Sequence, residues 1–395
     1  MLNGPFSPWP DFDAEEKQAV LEVLDSNRVN YWTGQKGREF EIAFAAYFET
    51  DYAVAVTNGT VALDLAWHAL DLPKGSEVIV TSRTFIASIS SIVLAGLTPV
   101  FADVDLDSQN ITVETISPHI NANTSAILCV HLAGWPCEMD DILALAKKHD
   151  LRVVEDCAQA HGAKYKGKPV GGLGDIAAWS FCQDKIMTTA GEGGMVTTNS
   201  KELWEKVWSF KDHGKSWSAI YEKEHPPGFR WLHESFGTNW RMMEIQSVVG
   251  LKQLEKMPDW TAKRVKYSQQ ILATAKKFPA LRVPTLPDSI EHAFYKCYTF
   301  VEPSELNPGW DRDKIIDEIN QLGVPCFSGS CSEVYKEKAF DNTNFRPQKA
   351  LTNAIQLGQS SLMFLVHPSL QQAEIDKCCA VLSDVMTKAS VQVNH

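Results

Sequence analysis

The architecture of this chain is most readily predicted from two neighbouring segments, V-V-E-D-C-A-Q-A-H-G at 153–162 and D-I-A-A-W-S-F-C-Q-D-K-I-M-T-T-A-G-E-G-G-M-V-T-T-N at 175–199. Apolar runs at 151–154 and 176–182 are typical of short buried strands. A carboxylate, Asp156, follows the first run, and a lysine, Lys185, follows the second. In open α/β sheets ligands gather at the carboxyl ends of strands, so this pair marks a candidate site.

A carboxylate and a lysine on neighbouring strand ends suit pyridoxal phosphate. The lysine holds the aldehyde of this cofactor as a Schiff base, and the carboxylate keeps the pyridine nitrogen protonated, so that the ring accepts carbanion charge. Taken singly, a lysine such as Lys185 after a buried strand is usually a solvated loop end. Asp156 alone is compatible with a salt-bridge partner or a helix N-cap. The glycines of T-T-A-G-E-G-G-M-V favour the cofactor interpretation, because they allow backbone to approach a bulky group.

Other candidates near these strand ends have simpler alternatives. Gln159 is placed to reach the phenolic oxygen of the cofactor. Ser180 is either a phosphate donor or a small buried residue, and Phe85 either stacks on a planar ring or belongs to the core. His161 is interpreted as structural. Only the combination of these residues, and not one of them alone, indicates the cofactor.

Strands and helices alternate from about residue 53 to about residue 200, which predicts βαβ units and a mostly parallel sheet. The predicted strand 53–56 runs through T-N-G-T into an apolar helix that Asn58 or Thr57 caps. Gly59 lets backbone come close to a ligand there, and the helix start favours a phosphate. A capped helix without a ligand is the alternative.

The pattern changes after residue 199. Helices are predicted at 242–257 and from 260 to about 277, followed by a proline-rich break, a strand pair within 294–301, and helices at 312–322 and 371–387. We therefore predict a large cofactor-binding domain at 1–255 and a smaller C-terminal α+β domain at 256–395, reached through a long linking helix.

The composition excludes several classes of function. The net charge of −12, without a Lys/Arg run, argues against nucleic-acid binding, and no apolar run approaches the roughly 20 residues of a membrane span. The N-terminus M-L-N-G-P-F-S-P-W-P lacks the features of a signal peptide, and the nine cysteines include no C-x-x-C. We expect a cytoplasmic protein with reduced thiols and no metal site.

The chain resembles the DegT/DnrJ/EryC1/StrS sugar aminotransferases, a pyridoxal-phosphate-dependent family with the aspartate aminotransferase fold (fold type I). The similar motifs include T-G-Q-K-G-R-E-F-E, V-T-N-G-T-V-A-L, G-S-E-V-I-V-T-S-R-T-F-I-A-S, P-V-F-A-D-V-D, V-V-E-D-C-A-Q-A-H-G, W-S-F-C-Q-D-K, G-E-G-G-M-V-T-T-N, K-D-H-G and G-T-N-W-R-M-M-E-I-Q. The resemblance implies an α/β fold with a mostly parallel central sheet and a smaller C-terminal α+β domain. It also implies a homodimer whose partners complete each other's active sites.

Transferred position by position, the resemblance assigns roles around the cofactor. It makes Lys185 the Schiff-base lysine and proton shuttle, pairs Asp156 with the pyridine nitrogen, and sets Gln159 beside the ring oxygen and Phe85 over the ring. The residues that it implies for the phosphate are Gly59, Thr60, Ser180 and, across the dimer interface, Asn239. The residues that it implies for the substrate are Thr33, Gly34 and His213.

The implied reaction is transfer of the amino group of L-glutamate to a keto sugar that is nucleotide-linked, for a cell-surface polysaccharide or a glycosylated metabolite. Alternatives are a free keto sugar, a cyclitol ketone, or deoxygenation by a dehydratase of the same family. Because the dehydratase branch carries histidine in place of Lys185, the lysine weighs against it. A non-catalytic regulator would need a further domain, and G-G-L-G at 171–174 does not match a dinucleotide fingerprint.

Three features depart from the family pattern. Ala190 adds one residue between Lys185 and Gly191. The segment C-F-S-G-S-C-S-E-V-Y at 326–335 replaces the usual H-Y-P-P-L-H, which helps to shape the sugar pocket. The aromatic insert at 217–235 is longer than usual, and we expect it to cover the active site or the nucleotide of the substrate.

Overall fold

The structure is a computed structural model that describes residues 4–391. Its helices are α1 (Ala14–Asp25), α2 (Lys36–Tyr47), α3 (Gly59–Leu70), α4 (Ala87–Leu94), α5 (Val113–Ile116), α6 (Met139–Lys148), α7 (Lys201–Lys211), α8 (Trp217–Tyr221), α9 (Glu244–Ala275), α10 (Arg312–Gln321), α11 (Thr352–Ser360) and α12 (Gln372–Ala389). Its strands are β1 (Tyr52–Val56), β2 (Glu77–Thr81), β3 (Thr98–Ala102), β4 (Thr124–Val130), β5 (Arg152–Asp156), β6 (Lys164–Tyr165), β7 (Lys168–Pro169), β8 (Ile176–Ser180), β9 (Gly194–Thr198), β10 (Leu281–Arg282), β11 (Ile290–Glu291), β12 (Cys297–Val301), β13 (Cys326–Phe327) and β14 (Ser361–Phe364).

A seven-stranded sheet forms the centre of the molecule, in the order β1-β9-β8-β5-β4-β2-β3. Strands β3, β2, β4, β5 and β8 pair in parallel, whereas β9 runs antiparallel to both of its neighbours, β8 and β1. These strands are apolar along nearly their whole length because helices cover both faces of the sheet. The predicted α/β fold with a mostly parallel central sheet is confirmed.

Short polar signals set the start of helix α3, as the sequence predicts. Asn58 takes an extended conformation, and its side-chain oxygen accepts a hydrogen bond from the amide of Val61 at 2.9 Å. This bond satisfies one of the free N–H groups of the first turn and fixes where the helix begins. The helix then starts immediately after the carboxyl end of β1.

Helix α9 differs from the prediction of two helices. It runs unbroken from Glu244 to Ala275 with Pro258 inside it. A proline removes one backbone hydrogen bond and costs about 3 kcal/mol, but Pro258 lies on the exposed side and the helix packs against α1, α2 and α12 along its length. Tertiary packing therefore keeps the helix continuous across a residue that usually ends one.

The C-terminal part builds its own four-stranded antiparallel sheet, in the order β10-β12-β14-β13. A separate apolar cluster, which includes Ile271, Leu362 and Leu382, joins this sheet to α9 and α12. The predicted boundary between residues 255 and 256 falls inside α9, which contributes to both parts. That division stays a prediction.

Two further observations concern the chemistry of the chain as a whole. Each of the nine cysteines is a free thiol, and six of them are buried. Within residues 4–391, no helix combines the length and the apolar character needed to cross a membrane.

Candidate active site

The carboxyl end of β8 and the first turn of α3 are in direct contact. A Cβ atom placed on Gly59 would lie 2.5 Å from Cβ and 3.0 Å from Oγ of Ser180. Only glycine can therefore bring the start of α3 this close to the end of β8. Thr60 follows as an exposed residue of the same turn. Gly59 and Ser180 are thus in contact, Thr60 follows in the same turn, and the N-terminus of a helix suits an anion.

Asp156 is the last residue of β5, which pairs with β8, and its side chain is 6% exposed. Its Oδ2 accepts a hydrogen bond from Ser88 Oγ at 2.8 Å, and its Oδ1 accepts one from the amide of Ala158 at 3.1 Å. Burial raises the pKa of Asp156, although these two bonds and the charge of Lys185 oppose that shift. The alternative of a helix N-cap is wrong, since no helix starts here.

Lys185 lies in the turn between β8 and β9, and its side chain is 17% exposed. Its Nζ is 4.0 Å from Asp184 Oδ1 and 5.2 Å from the centroid of the Tyr295 ring. Its carbonyl accepts a hydrogen bond from the indole N–H of Trp9 at 2.8 Å. The turn is thus held from the N-terminal segment on one side and from the small sheet on the other.

Asp184 and Tyr295 form the immediate surroundings of the lysine. The hydroxyl of Tyr295 donates to Asp184 Oδ2. Burial alone would raise the pKa of Asp184, but Lys185 and Tyr295 together lower it below its usual value. Asp184 therefore stays a carboxylate beside the lysine, and its negative charge stabilises a positive charge there.

Two other predicted residues flank this cluster. Gln159 Oε1 accepts a hydrogen bond from the amide of Ala133 at 2.8 Å, which fixes the side chain next to the loop after β4. Phe85 is 67% exposed. The alternative interpretation of Phe85 as a core residue is therefore wrong, and its ring is available to stack on a planar partner.

The residues predicted for the substrate, together with Asn239, lie on surface loops. Thr33, His213 and Asn239 are exposed, whereas Gly34 is buried against Glu244. No hydrogen bond or ion pair that the structure describes between residues 4 and 391 links any of them to Lys185.

A buried carboxylate, Asp212, holds these loops in place. It accepts hydrogen bonds from Trp32 Nε1 at 2.8 Å, from Arg241 Nη1 at 2.7 Å and from Lys215 Nζ at 3.2 Å. Trp32 precedes Thr33, Asp212 precedes His213, and Arg241 lies two residues after Asn239. One side chain thus connects three segments that are far apart in the sequence.

His131, Glu155 and Cys157 offer metal-ligand atoms within 4.8 Å of one another, under the sheet edge. The Nδ1 atom of His131 accepts from the amide of Cys137 at 3.0 Å, so Nε2 carries the proton and faces Glu155 at 3.0 Å. Glu155 also accepts hydrogen bonds from three backbone amides, those of Gly171, Leu173 and Gly174. Because its oxygens are engaged, the group braces the end of β5 next to Asp156.

A family model described as the DegT/DnrJ/EryC1/StrS aminotransferase family matches residues 10–383. The chain belongs to this family. Two curated relatives are the GDP-perosamine synthase of Caulobacter vibrioides, 36% identical over 95% of this chain and 97% of that protein, and the UDP-N-acetyl-3-dehydro-alpha-D-glucosamine 3-aminotransferase of Acidithiobacillus ferrooxidans, 35% identical over 96% and 95%. The crystal structure of the aminotransferase from Psychrobacter cryohalolentis superposes with a TM-score of 0.95 at 59% identity, covering 97% of this chain and 99% of that one. The protein is an aminotransferase.

Several residues of the candidate site could not be expected from the sequence. Ser88 closes the T-F-I-A-S motif, yet nothing in the motif shows that its hydroxyl reaches Asp156. Tyr295 has no local signal, since its partner Asp184 lies 111 residues away along the chain. Asp212 has a local partner in Lys215, but its contact with Trp32, 180 residues away, has no signal in the sequence. Asp184 directly precedes Lys185, and an acid beside a candidate catalytic lysine was the one signal that was available.

Proposed function

We propose that this protein transfers the amino group of L-glutamate to a nucleotide-linked keto sugar with the help of pyridoxal phosphate. The observation that supports this most strongly is the placement of Lys185 and the buried Asp156 at neighbouring strand ends, within reach of each other's charge. When bound, pyridoxal phosphate supplies an aldehyde for the amino group and a ring that accepts the electron pair of the broken C–H bond.

The residues present fit this cofactor. Burial raises the pKa of Asp156, so a cation against its carboxylate, such as a protonated pyridine nitrogen, would relieve an unfavourable desolvation. The contact between Gly59 and Ser180 brings the first turn of α3 to the carboxyl end of β8, and a helix N-terminus at this place would favour a phosphate. Phe85 offers an exposed ring face, and Gln159 is held beside the same edge of the sheet.

Each side chain then has a defined task. Asp156 would hold a proton on the ring nitrogen, and Ser88 fixes the orientation of this carboxylate through its hydrogen bond. Lys185 Nζ would hold the cofactor, and as a free amine the same atom would move a proton from and to the reacting carbon atoms. Asp184 and Tyr295 lie against the end of the lysine side chain and so restrict its position.

We further propose that the protein is a homodimer whose active sites are shared. Several large apolar side chains are exposed in the single subunit, among them Phe85, Phe229, Trp231, Phe236 and Met243. Exposed patches of this kind mark interaction surfaces in water-soluble folds. In this arrangement Asn239 of one subunit reaches the phosphate in the other, and the exposed outer part of the 217–235 insert covers the partner's substrate site.

The acceptor is proposed from the relatives and from one feature of this chain. The two curated relatives carry names of enzymes that make or convert GDP- and UDP-linked sugars, so the shared chemistry is a nucleotide-linked sugar. The unusual segment 326–335 is tied to the edge of the sheet, since Arg83 at the end of β2 donates to the carbonyl of Ser330 at 3.4 Å. Thr33, Gly34 and His213 are proposed to approach the sugar from their loops. A nucleotide-linked substrate also suits the predicted cytoplasmic location.

The decisive experiment follows the cofactor without the sugar. Purified protein is loaded with pyridoxal phosphate, treated with borohydride and digested, and mass spectrometry is expected to find the reduced cofactor on Lys185. The untreated protein is expected to lose its long-wavelength absorbance on addition of L-glutamate and to release 2-oxoglutarate. Lys185→Ala is expected to abolish both, whereas Lys168→Ala, an exposed lysine in β7, behaves like the wild type.

Two results would redirect the proposal. If a keto-sugar nucleotide loses an oxygen atom instead of gaining nitrogen, the enzyme is a dehydratase. If L-glutamate leaves the bound cofactor unchanged, the donor is wrong. The shared site is tested by mixing Lys185→Ala with Asn239→Ala: mixed dimers of two inactive variants should regain activity, and no gain would exclude the proposed role of Asn239.

A further inference from the structure

Two cations, Lys296 and Arg264, lie around Tyr295 next to Lys185, and within residues 4–391 neither forms an ion pair with a carboxylate. Lys296 directly precedes β12, and its Nζ lies 4.7 Å from the centroid of the Tyr295 ring. Lys185 contacts the same ring, with its Nζ at 5.2 Å. The two ammonium groups therefore lie no further apart than the sum of these two distances.

A buried arginine stands behind them. Arg264, on α9, is 1% exposed, and its Nη1 donates only to the carbonyl oxygens of Phe294 at 3.4 Å and Tyr295 at 3.3 Å. Its Nε has no hydrogen-bond partner, and within residues 4–391 no carboxylate forms an ion pair with it. Buried arginines are normally paired, so this charge is unusual.

The acids around this group do not neutralise it. Asp184 is the carboxylate that faces Lys296, but it already binds Lys185 and accepts from the Tyr295 hydroxyl. Lys296 itself forms no hydrogen bond or ion pair with the part of the chain described, residues 4–391. Burial lowers the pKa of Lys296 to about 8 and the pKa of Arg264 to about 9, so both remain largely charged at neutral pH.

We propose that Lys296, with Arg264 behind it, binds the α-carboxylate of the amino donor. This inference rests on the function proposed above and adds a recognition residue to it. Lys296 provides the direct charge-assisted hydrogen bond, and Arg264 contributes its charge from the interior. His367 lies beside the same two cations; its ring stacks on Trp9, and its Nε2 has no hydrogen-bond partner among residues 4–391.

The distances favour the donor over the acceptor. The amino nitrogen of the donor has to reach the position of Lys185 Nζ, and in an amino acid the α-carboxylate is attached to the carbon that bears this nitrogen. Lys296 shares a ring with Lys185 and is thus placed for an anion close to the reacting nitrogen. The phosphates of a nucleotide-linked sugar lie beyond the sugar ring and are further from the reacting carbon.

The test compares Lys296→Met with wild-type holoenzyme on three donors, with the absorbance of the cofactor as the readout. L-glutamate carries both carboxylates, L-isoglutamine has an amide in place of the α-carboxylate, and L-glutamine has an amide in place of the γ-carboxylate. Loss of one charge-assisted hydrogen bond is expected to raise the apparent dissociation constant for L-glutamate about 30-fold. Lys296→Arg should restore most of this loss, and Lys336→Met, an exposed lysine paired with Glu333, serves as control.

Comparison of the three donors shows which group of the ligand Lys296 binds. If Lys296→Met raises the apparent dissociation constant for L-glutamate and L-glutamine but not for L-isoglutamine, the assignment to the α-carboxylate is supported. If the loss of affinity in Lys296→Met is instead absent for L-glutamine, Lys296 binds the γ-carboxylate, and the proposal is overturned. If Lys296→Met weakens binding of the amino-sugar nucleotide in the reverse reaction by the same factor, Lys296 binds the phosphates, and the proposal is again overturned. If wild-type enzyme fails to respond to L-glutamate, the proposed function is at fault, whereas equal responses of wild type and Lys296→Met refute this inference alone.

Discussion

Replacing Ser88 by alanine tests how this chain controls the charge on Asp156. The Ser88 hydroxyl donates to Asp156 Oδ2 at 2.8 Å, and both side chains are buried. Because the carboxylate can only accept, Thr84, whose Oγ1 lies 2.9 Å from Ser88 Oγ, donates in turn to Ser88. The three side chains form a directed chain of hydrogen bonds that ends on the carboxylate.

The size of the effect follows from these contacts. A hydrogen bond to a buried charged group is worth about 1.5–3 kcal/mol. Since about 1.4 kcal/mol corresponds to one pKa unit, Ser88→Ala should raise the pKa of Asp156, already raised by burial, by about one to two further units. Cofactor binding that needs the ionised carboxylate should weaken by about 10- to 100-fold at low pH.

The assay is titration of cofactor-free protein with pyridoxal phosphate at a series of pH values, followed by absorbance. The gap between Ser88→Ala and wild type should close as the pH rises, because the free carboxylate then ionises in both proteins. Thr84→Val should show a smaller effect of the same sign. Ser90→Ala, on the same helix but hydrogen-bonded only to the carbonyl of Ala87, is the control. Wild-type affinity of Ser88→Ala at every pH would refute this account of Asp156.

Three further predictions concern other parts of the molecule. Gly59→Ala should weaken binding of pyridoxal phosphate by at least about tenfold in the same titration, because its Cβ would lie 2.5 Å from Cβ of Ser180; unchanged affinity would mean that α3 does not hold the phosphate. Burial lowers the pKa of His161 to about 3, so below about pH 6.5 the unfolded chain binds a proton at this residue and the folded chain does not. The free energy of unfolding should therefore fall as the pH drops below about 6.5, by up to about 1.4 kcal/mol per pH unit. Denaturant titrations should show a shallower fall for His161→Phe, and an identical slope would contradict this assignment. Lys211→Met leaves Glu41 buried without its 3.2 Å partner and should lower the free energy of unfolding by about 3–5 kcal/mol, whereas the exposed Lys201→Met should change it little; equal midpoints for the two variants would show that the buried pair contributes nothing.

The parts of the fold that the sequence predicts well are those with local signals. Strand β1, Tyr52–Val56, begins one residue before the predicted strand 53–56, because a short apolar run that leads into a polar turn has few alternatives. The cap at Asn58 was predictable for the same reason, since its partner lies three residues away. For these elements, local pattern and tertiary structure agree.

The rest depends on contacts between distant parts of the chain. Pro258 is a local signal for a helix end, and it misleads because packing against three other helices outweighs one lost hydrogen bond. The roles of Asp212, Lys296 and Arg264 come from neighbours that the fold brings together, and a charged residue in a sequence shows neither its burial nor its lack of a partner. The sequence thus predicts which residue types form the candidate site, but not which of its charged side chains are buried or lack a partner.

The continuous helix α9 has a mechanical consequence. At its first residue, the carboxylate of Glu244 accepts from the amides of Lys36 and Gly37 and so holds the start of α2 and the loop of Gly34. Arg264, on the same helix and about 30 Å further along it, supports Tyr295 and its neighbours. One continuous helix therefore contacts both sides of the reaction centre. A ligand that displaces one end of α9 is expected to displace the other end as well, unless the helix bends at Pro258, where its backbone hydrogen bonding is weakest.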